Sequence, residues 1–574
     1  MKKASTFTRR TILKGITASS LVPLLGSNLI GCSGSNNSDS SNDIAAAFNH
    51  GVASGDPLSD RVILWTRLTP ETEGEVGVDW EIATDEAFDN IVGSGGGTTS
   101  LDVDYTVKVD ADGLDPATTY YYRFTSGDTV SPVGTTRTAA LGTLASARFA
   151  VISCSNYPTG YFHVYREVAA EEVDAVLHLG DYIYEYDVDG YASGQAAELG
   201  RVSDPENEIL TLRDYRTRYA QYRSDSDLQA CHRAHPFIVV WDDHEIANDA
   251  WREGAENHDP ESEGSYEERR AAAIQVWYEW LPVRPPASER EIIYRSFQYG
   301  DLIDLIMLDT RSIARDLQIS YADFATGGII DTPSALAALN DSNRTLLGRD
   351  QLDWLMDNLT NSTARWQVLG QQVLMGRMSL PEPATRALSI SLGDEGALAE
   401  ATGALLAAVA AKNKSPDERT DEEQALLDSA IPYNPDAWDG YGFERDQLLN
   451  HAAQIGSRMV VLAGDTHNAW ASQLTTADGT SVGVEFATAS VTSPGAEDVL
   501  GADNAALFSP IAVTLIDDLK YANLINRGYL TLSFDPNEVT SEWHFISAID
   551  TLEYTTLDEA KTVRTVSRDD LLLA

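Results

Sequence analysis

Four apolar stretches of the chain end directly in groups that bind metals or move protons. They are Val151-Ile152-Ser153-Cys154-Ser155, Leu177-His178-Leu179-Gly180-Asp181, Val239-Val240-Trp241-Asp242-Asp243-His244-Glu245 and Val461-Leu462-Ala463-Gly464-Asp465-Thr466-His467. Tyr184 follows Asp181 by three residues, a spacing that lets one turn aim both at the same ion. Carboxylates gathered in a cleft repel one another, and metal cations between them relieve the repulsion. Phenolate and thiolate suit a hard trivalent metal, and the carboxylates suit an oxygen-loving divalent one. An Asp with a Tyr three residues on says little alone. Four such strand ends together say much more, because ligands of an α/β sheet collect at the carboxyl ends of its strands.

The elements that must position these groups are legible in the hydrophobic pattern. Strands are expected at 148–153, 175–179, 237–241, 302–308, 366–369 and 458–463, apolar on successive residues as strands buried on both faces are. Helices are expected between them at 161–172, 212–230, 266–281, 351–359 and 442–453, so the class is α/β with helices covering a central sheet or pair of sheets. Before them, residues 44–140 alternate apolar and polar in segments such as Arg61-Val62-Ile63-Leu64-Trp65-Thr66 and Thr119-Tyr120-Tyr121-Tyr122-Arg123-Phe124. That pattern predicts an N-terminal β-sandwich of immunoglobulin or fibronectin type. With 574 residues, two folded regions are expected, the second spanning 145–550. The Ala-rich, then charged stretch 395–427 reads as a helical insertion, and 529–534 and 541–545 alternate like closing antiparallel strands.

The run Gly180-Asp181-Tyr182-Ile183-Tyr184-Glu185 resembles the metal-binding turn of the PhoD family of alkaline phosphatases and, more distantly, that of the purple acid phosphatases in the calcineurin-like superfamily. The likeness starts at Phe48-Asn49-His50-Gly51-Val52-Ala53-Ser54-Gly55-Asp56-Pro57. It continues through Trp241-Asp242-Asp243-His244-Glu245 with Asn248-Asp249, Leu308-Asp309-Thr310-Arg311-Ser312, Trp438-Asp439-Gly440-Tyr441 and Gly464-Asp465-Thr466-His467. The resemblance implies a metallophosphoesterase α/β sandwich holding iron(III) and calcium (Fe3+ and Ca2+) that hydrolyses phosphate esters. It makes Cys154 and Tyr184 iron ligands and Asp181 the bridge to the divalent metal. Asp243 stands where related metallophosphoesterases have an asparagine, and Asp465 and His467 complete the coordination. Asp242 is either a ligand or an acid supporting one.

In such a site His244, next to a ligand, is the candidate for protonating the leaving alkoxide or for stabilising a metal-bound oxygen, with a supporting role as the alternative. Arg295 and Arg311 are the candidates for a phosphate clamp, either of which serves equally as a structural ion pair; the resemblance favours Arg295. For Cys154 the plain alternative is an inert buried thiol or a bridge to Cys231, and His178 suits a position supporting a ligand or in the core rather than ligation. The leading expectation is a phosphomonoesterase. A phosphodiesterase of phospholipase-D-like kind and a non-catalytic surface lipoprotein are the alternatives.

The formal net charge is −47, and residues 1–31 contribute five basic residues and no acidic ones, so a processed chain is more acidic still. So acidic a surface repels nucleic acid and anionic lipid. Thr8-Arg9-Arg10-Thr11-Ile12-Leu13-Lys14 ahead of the apolar stretch from Ile16 to Ile30 resembles a twin-arginine signal, which implies the twin-arginine export machinery as a partner and a periplasmic or cell-surface location. Leu29-Ile30-Gly31-Cys32 resembles a lipoprotein processing site; lipid on Cys32 would be the sole membrane attachment, with 32–43 as a tether. Three cysteines exclude a disulfide framework, and no later apolar run approaches the ~18 residues a spanning helix needs.

Overall fold

All four metal-directed segments leave from strands of two facing β-sheets. A computed structural model describes residues 44–286, 291–390, 396–557, 562–567, 571 and 573; the targeting segment, Cys32 and the tether, together with residue 395 of the insertion, lie outside the described residues. One sheet has nine strands and the other seven. At the centre of the first, Ala147–Ile152, Ala175–His178 and Pro236–Val239 run parallel. In the second, Ile303–Met307, Trp366–Gly370, Met459–Ala463 and Ser481–Ala487 do the same.

The period of two decides which face each side chain covers. Val460 and Leu462 pack between the sheets with Phe149, Val151 and Leu177. Met459 and Val461 point the other way, into a cluster closed by Leu352 and Leu355 of the helix Gly348–Asn361 and by Leu448 and Leu449 of the helix Gly442–Ile455. A fully buried Val or Leu stabilises by ~1.5–3 kcal/mol. The strands are therefore pinned from both faces, and the polar residues just beyond their ends stand on a rigid base.

The N-terminal region is β-rich. Its sheet containing Val76–Ala83 and Thr119–Ser126 packs Val78, Ile82, Tyr122 and Phe124 against Val52, Val62 and Leu64. These last three belong to the nine-stranded sheet: Val52–Gly55 pairs antiparallel with Arg61–Arg67 on one side and parallel with Pro236–Val239 on the other. One layer of the sandwich thus continues directly into the sheet that carries Asp181 and Asp242. At the far edge, Arg527–Phe534, Glu538–Ile546 and Thr562–Ser567 close the sheet antiparallel, so it runs past residue 550.

The helix expected over 212–230 is two helices, Leu212–Arg223 and Ser226–Ala234. The first ends at Arg223, and Asp225 starts the second as its N-cap by accepting from the backbone N–H of Asp227 at 2.9 Å and of Leu228 at 3.2 Å. The insertion forms the helices Ala397–Lys412 and Asp421–Asp428; Ala401 and Leu405 of the first pack with Phe508 and Ile511 of the helix Ala502–Leu515. Cys154 and Cys231 are buried free thiols, and no described helix is long and apolar enough to cross a membrane.

Candidate metal centre

Cys154 lies two residues beyond Ile152, and Asp181 three beyond His178, on the loops that follow adjacent parallel strands. The two loops are laced together: the Cys154 N–H donates to the Gly180 carbonyl at 3.1 Å and the Ser155 N–H to the Asp181 carbonyl at 2.9 Å. Gly180 has φ 105°, and a Cβ there would sit 2.4 Å from the Asp242 Cβ and 2.5 Å from its backbone nitrogen. Glycine is what lets the loop bearing Asp181 close against the loop bearing Asp242.

Cys154, Asp181, Asp465 and His467 all have left-handed backbones, with φ of 62°, 53°, 61° and 60°. That conformation costs a non-glycine residue ~1–3 kcal/mol and gathers where function requires a fixed side-chain direction. Four neighbouring cases on three loops concentrate such strain here.

The side chains converge in three overlapping groups. Donor atoms of Cys154, Asp181 and His467 lie within 4.8 Å of one another, as do those of Asp181, Asp243 and His244, and those of Asp242, Asp243 and Asp465. Asp181 joins the first group to the second, and Asp243 the second to the third. The Tyr184 hydroxyl adds a phenolic oxygen to the first group: it donates to Asp181 Oδ2 at 2.9 Å, lies 3.2 Å from His467 Nε2 and accepts from Ser493 Oγ at 2.6 Å. The His467 Nδ1 donates to the Pro494 carbonyl at 2.6 Å, which leaves the Nε2 lone pair turned toward Tyr184 and Asp181, the tautomer a metal requires. Asp181 Oδ1 and Asp242 Oδ2 are buried acceptors without a hydrogen-bond donor among the described residues. Such atoms are costly in a native fold unless a cation completes them. The donor set therefore fits metal ions.

The electrostatics agree. Burial, then the neighbouring Asp181 carboxylate, pushes the Cys154 thiol and the Tyr184 hydroxyl well above their ordinary values. Burial, together with nearby acids and against the pull of Arg311, raises Asp465 to about 7. The Cys154 thiol and Tyr184 hydroxyl, held protonated this way, lose their protons when a cation arrives.

His244 has a different partner. Its Nδ1 donates to Glu185 Oε2 at 2.7 Å, and Glu185 Oε1 accepts from the Asn248 N–H and the Asn257 side chain, both at 2.8 Å. Burial would lower the His244 pKa, but the Glu185 and Asp243 carboxylates outweigh it and hold the ring protonated. Its ring packs on Tyr184 with centroids 4.1 Å apart.

The arginine among the acids is Arg311, not Arg295. Arg311 is 1% exposed and its guanidinium bonds Asp242, Asp465 and Asp436, with Asp243 3.7 Å away. Asp309 sets it there by accepting from the N–H groups of Arg311 at 2.9 Å and Ser312 at 2.8 Å. Arg295 instead spends its donors on Asp56 at 2.7 and 3.1 Å and on the carbonyls of Ile293 and Val239. These bonds tie the edge strand of the seven-stranded sheet to the N-terminal region through Asp56, so the guanidinium that the structure brings among the acids is that of Arg311. His178, as expected, is a core residue, 2.9 Å from the Tyr165 hydroxyl.

Three supporting residues had no assigned role in the sequence. Glu185 orients His244, and Asp436 joins Arg311 to Arg315. Glu245 accepts from the backbone N–H of Asp181 at 3.0 Å and of Asp242 at 2.7 Å, so one side chain locks both acid-bearing loops. The signal for Glu245 was present, since it ends the polar run Asp242-Asp243-His244-Glu245 that follows a buried strand, whereas Glu185 sits among Tyr182, Ile183, Tyr184 and Tyr186 with no such mark.

Comparison with known proteins gives one answer. The family model for the PhoD-like phosphatase matches residues 149–543, and that for the PhoD-like phosphatase N-terminal domain matches 33–140. Alkaline phosphatase D of Bacillus subtilis (strain 168) is 36% identical over 521 residues, which are 86% of this chain and 77% of that protein. A solved structure described as the structure of PhoD superposes with a TM-score of 0.72 and 31% identity, covering 93% of each chain. With its α/β scaffold, its strained loops and its converging donors, the chain belongs to the PhoD-like phosphatase family, as a metal-dependent phosphoesterase homologous to alkaline phosphatase D.

Proposed function

We propose that the chain is an exported phosphomonoesterase. In this reading an iron ion is held by Cys154, Tyr184, Asp181 and His467, and calcium by Asp181, Asp242, Asp243 and Asp465. The observation that carries it is the chaining of three donor groups through Asp181 and Asp243, with thiol and phenol confined to one end and carboxylates to the other. Bound there, the metals would supply positive charge for the phosphoryl group and an acidified water for attack on phosphorus.

The chain's own residues do the rest. His244, kept protonated and oriented by Glu185, is placed to give a proton to the leaving alkoxide. Arg311 holds Asp242 and Asp465 in register and keeps their mutual repulsion in check. Glu245 and the laced loops fix the acids so that they need not reorganise during reaction. Export by the twin-arginine route and a lipid on Cys32 belong to the same proposal and rest on the sequence of residues 1–32. The division into 44–140 and a second region from 145, with an insertion at 395–427, is also proposed; the two matched ranges support its boundary near 140–149, and the strand Thr562–Ser567 carries the second region past the expected end at 550.

The test is the metal content of the folded protein by mass spectrometry, alongside hydrolysis of a chromogenic phosphomonoester and the matched diester. Iron with calcium and faster monoester turnover is the expected result. Faster diester turnover on the same metals would transfer the reading to a phosphodiesterase, and a protein that takes up neither metal would overturn the metal assignment.

A further inference from the structure

A cavity of about 370 Å³ adjoins the metal centre, and its wall is mostly apolar. Such a volume lies within the ~300–1,000 Å³ of ordinary small-ligand pockets. His467 and Tyr191 belong to both places: the Tyr191 hydroxyl is 3.4 Å from His467 Nδ1, and the Tyr191 and Tyr184 rings lie 6.2 Å apart. Behind them the wall is formed by Leu405 of the insertion helix, Phe508, Ile511 and Ala512 of the helix Ala502–Leu515, and Trp470. Asn468 also lines the cavity; it is 2% exposed, its Oδ1 accepts from the Ala496 N–H at 3.2 Å, and its Nδ2 has no partner among the described residues. An unspent buried donor beside a ligand-sized apolar space points to a bound group with an oxygen at its near end and carbon beyond.

We propose that this cavity is the subsite for the alcohol half of the substrate, and that it selects phosphate esters of apolar alcohols carrying an aromatic ring or an alkyl chain. The inference rests on the phosphoesterase reading above. With phosphorus at the donors around His467, the ester oxygen and its carbon substituent extend past His467 and Tyr191 into the cavity. A sugar or other polyol there would lose its hydration against Leu405, Phe508 and Ile511, with only the few polar lining groups such as Asn468, Asn434 and Thr466 to replace it. The insertion helix acquires a function by the same argument: it supplies part of the wall that recognises the leaving group.

The experiment is phosphate release by the metal-loaded full chain from n-alkyl phosphates, ethyl through octyl. We expect kcat/KM to rise about two- to fourfold per methylene until the cavity is filled. Ala512→Phe, which fills the space, should bring the octyl-to-ethyl ratio close to one. A parallel measurement needs no turnover: calorimetric binding of octan-1-ol to the same protein is expected in the wild type and lost in Ala512→Phe, whose folding is checked by its melting temperature. Ethyl phosphate hydrolysed with no dependence on chain length would overturn the subsite and leave the phosphoesterase reading intact. Hydrolysis of no ester at all would bring down that reading and the subsite with it. Absence of octan-1-ol binding to the wild type would likewise overturn the proposal, whatever the turnover shows.

Discussion

The Tyr184 hydroxyl lies 3.2 Å from His467 Nε2, although 283 residues separate them. One residue follows the second parallel strand of the nine-stranded sheet and the other follows a strand of the seven-stranded sheet, so this contact fastens the two layers across the metal centre. Tyr184→Phe keeps the ring that packs on His244 and removes only the phenolic oxygen. If that oxygen binds iron(III), the variant loses the visible absorption of a tyrosinate complex, and its kcat/KM falls by at least about 100-fold, beyond the usual effect of removing a ligand's supporting partner. Absorption spectra and turnover of the two proteins decide it; an unchanged spectrum would remove Tyr184 from the coordination sphere.

Glu185 reaches the chemistry only through His244. Its carboxylate is held by Asn248 and Asn257 at one oxygen and spends the other on His244 Nδ1. Glu185→Gln should therefore lower kcat by roughly 10- to 100-fold with KM and metal content little changed. The alkaline limb of the pH–rate profile should move to lower pH, because the imidazolium loses its stabilising charge. Loss of metal in this variant would show that Glu185 builds the site as a whole and does not serve His244 alone.

Arg311 makes a different prediction in the presence and absence of metal. Its guanidinium is the buried positive charge that Asp242, Asp243, Asp436 and Asp465 share, with Arg315 pairing Asp436 alone. Removing one member of a buried ionic cluster costs ~3–5 kcal/mol because the others are left uncompensated. Arg311→Ala should lose that much in chelator-treated protein and distinctly less when metals are bound, since cations then carry part of the compensation. Urea denaturation in both states measures the difference, and equal losses would mean that the metals do not share charge with this cluster.

Much of this site is written in local runs of sequence. A buried parallel strand reads as consecutive apolar residues, and the polar group that ends it announces itself, as at Ile152 to Cys154 and Ala463 to Asp465. Arg311 was harder. It and Arg295 both flank the strand pair at Arg295–Tyr299 and Ile303–Met307, and only the fold shows that Asp56, from the N-terminal region, captures Arg295. The shared sheet was equally hidden, because Val52–Gly55 is read from its neighbours as part of the sandwich while its parallel partner Pro236–Val239 lies far along the chain. The break at Asp225 was available in the sequence: an Asp ahead of Ser226 is an N-cap signal, masked by apolar spacing that continues through it.

Glu485 gives a test of the fold away from the metal donors. On the strand Ser481–Ala487, it accepts from the backbone N–H groups of Met375 and Gly376 and is fully buried. Burial pushes its carboxyl from the ordinary 4.5 up to about 7. A raised acid contributes stability that is complete below its unfolded pKa and is lost as pH rises through the folded one, because the unfolded chain releases the proton first. The loss between pH 4.5 and 7 is ~3 kcal/mol at 1.36 kcal/mol per pH unit. Glu485→Gln mimics the protonated form, with one acceptor and a neutral head, and cannot ionise. Its stability relative to the wild type should therefore grow by that amount from pH 4.5 to pH 7 and then level off. Urea midpoints of the two proteins across this range read the difference directly; parallel curves would show that Glu485 already carries its charge in the folded state, with the two backbone donors sufficient to hold it.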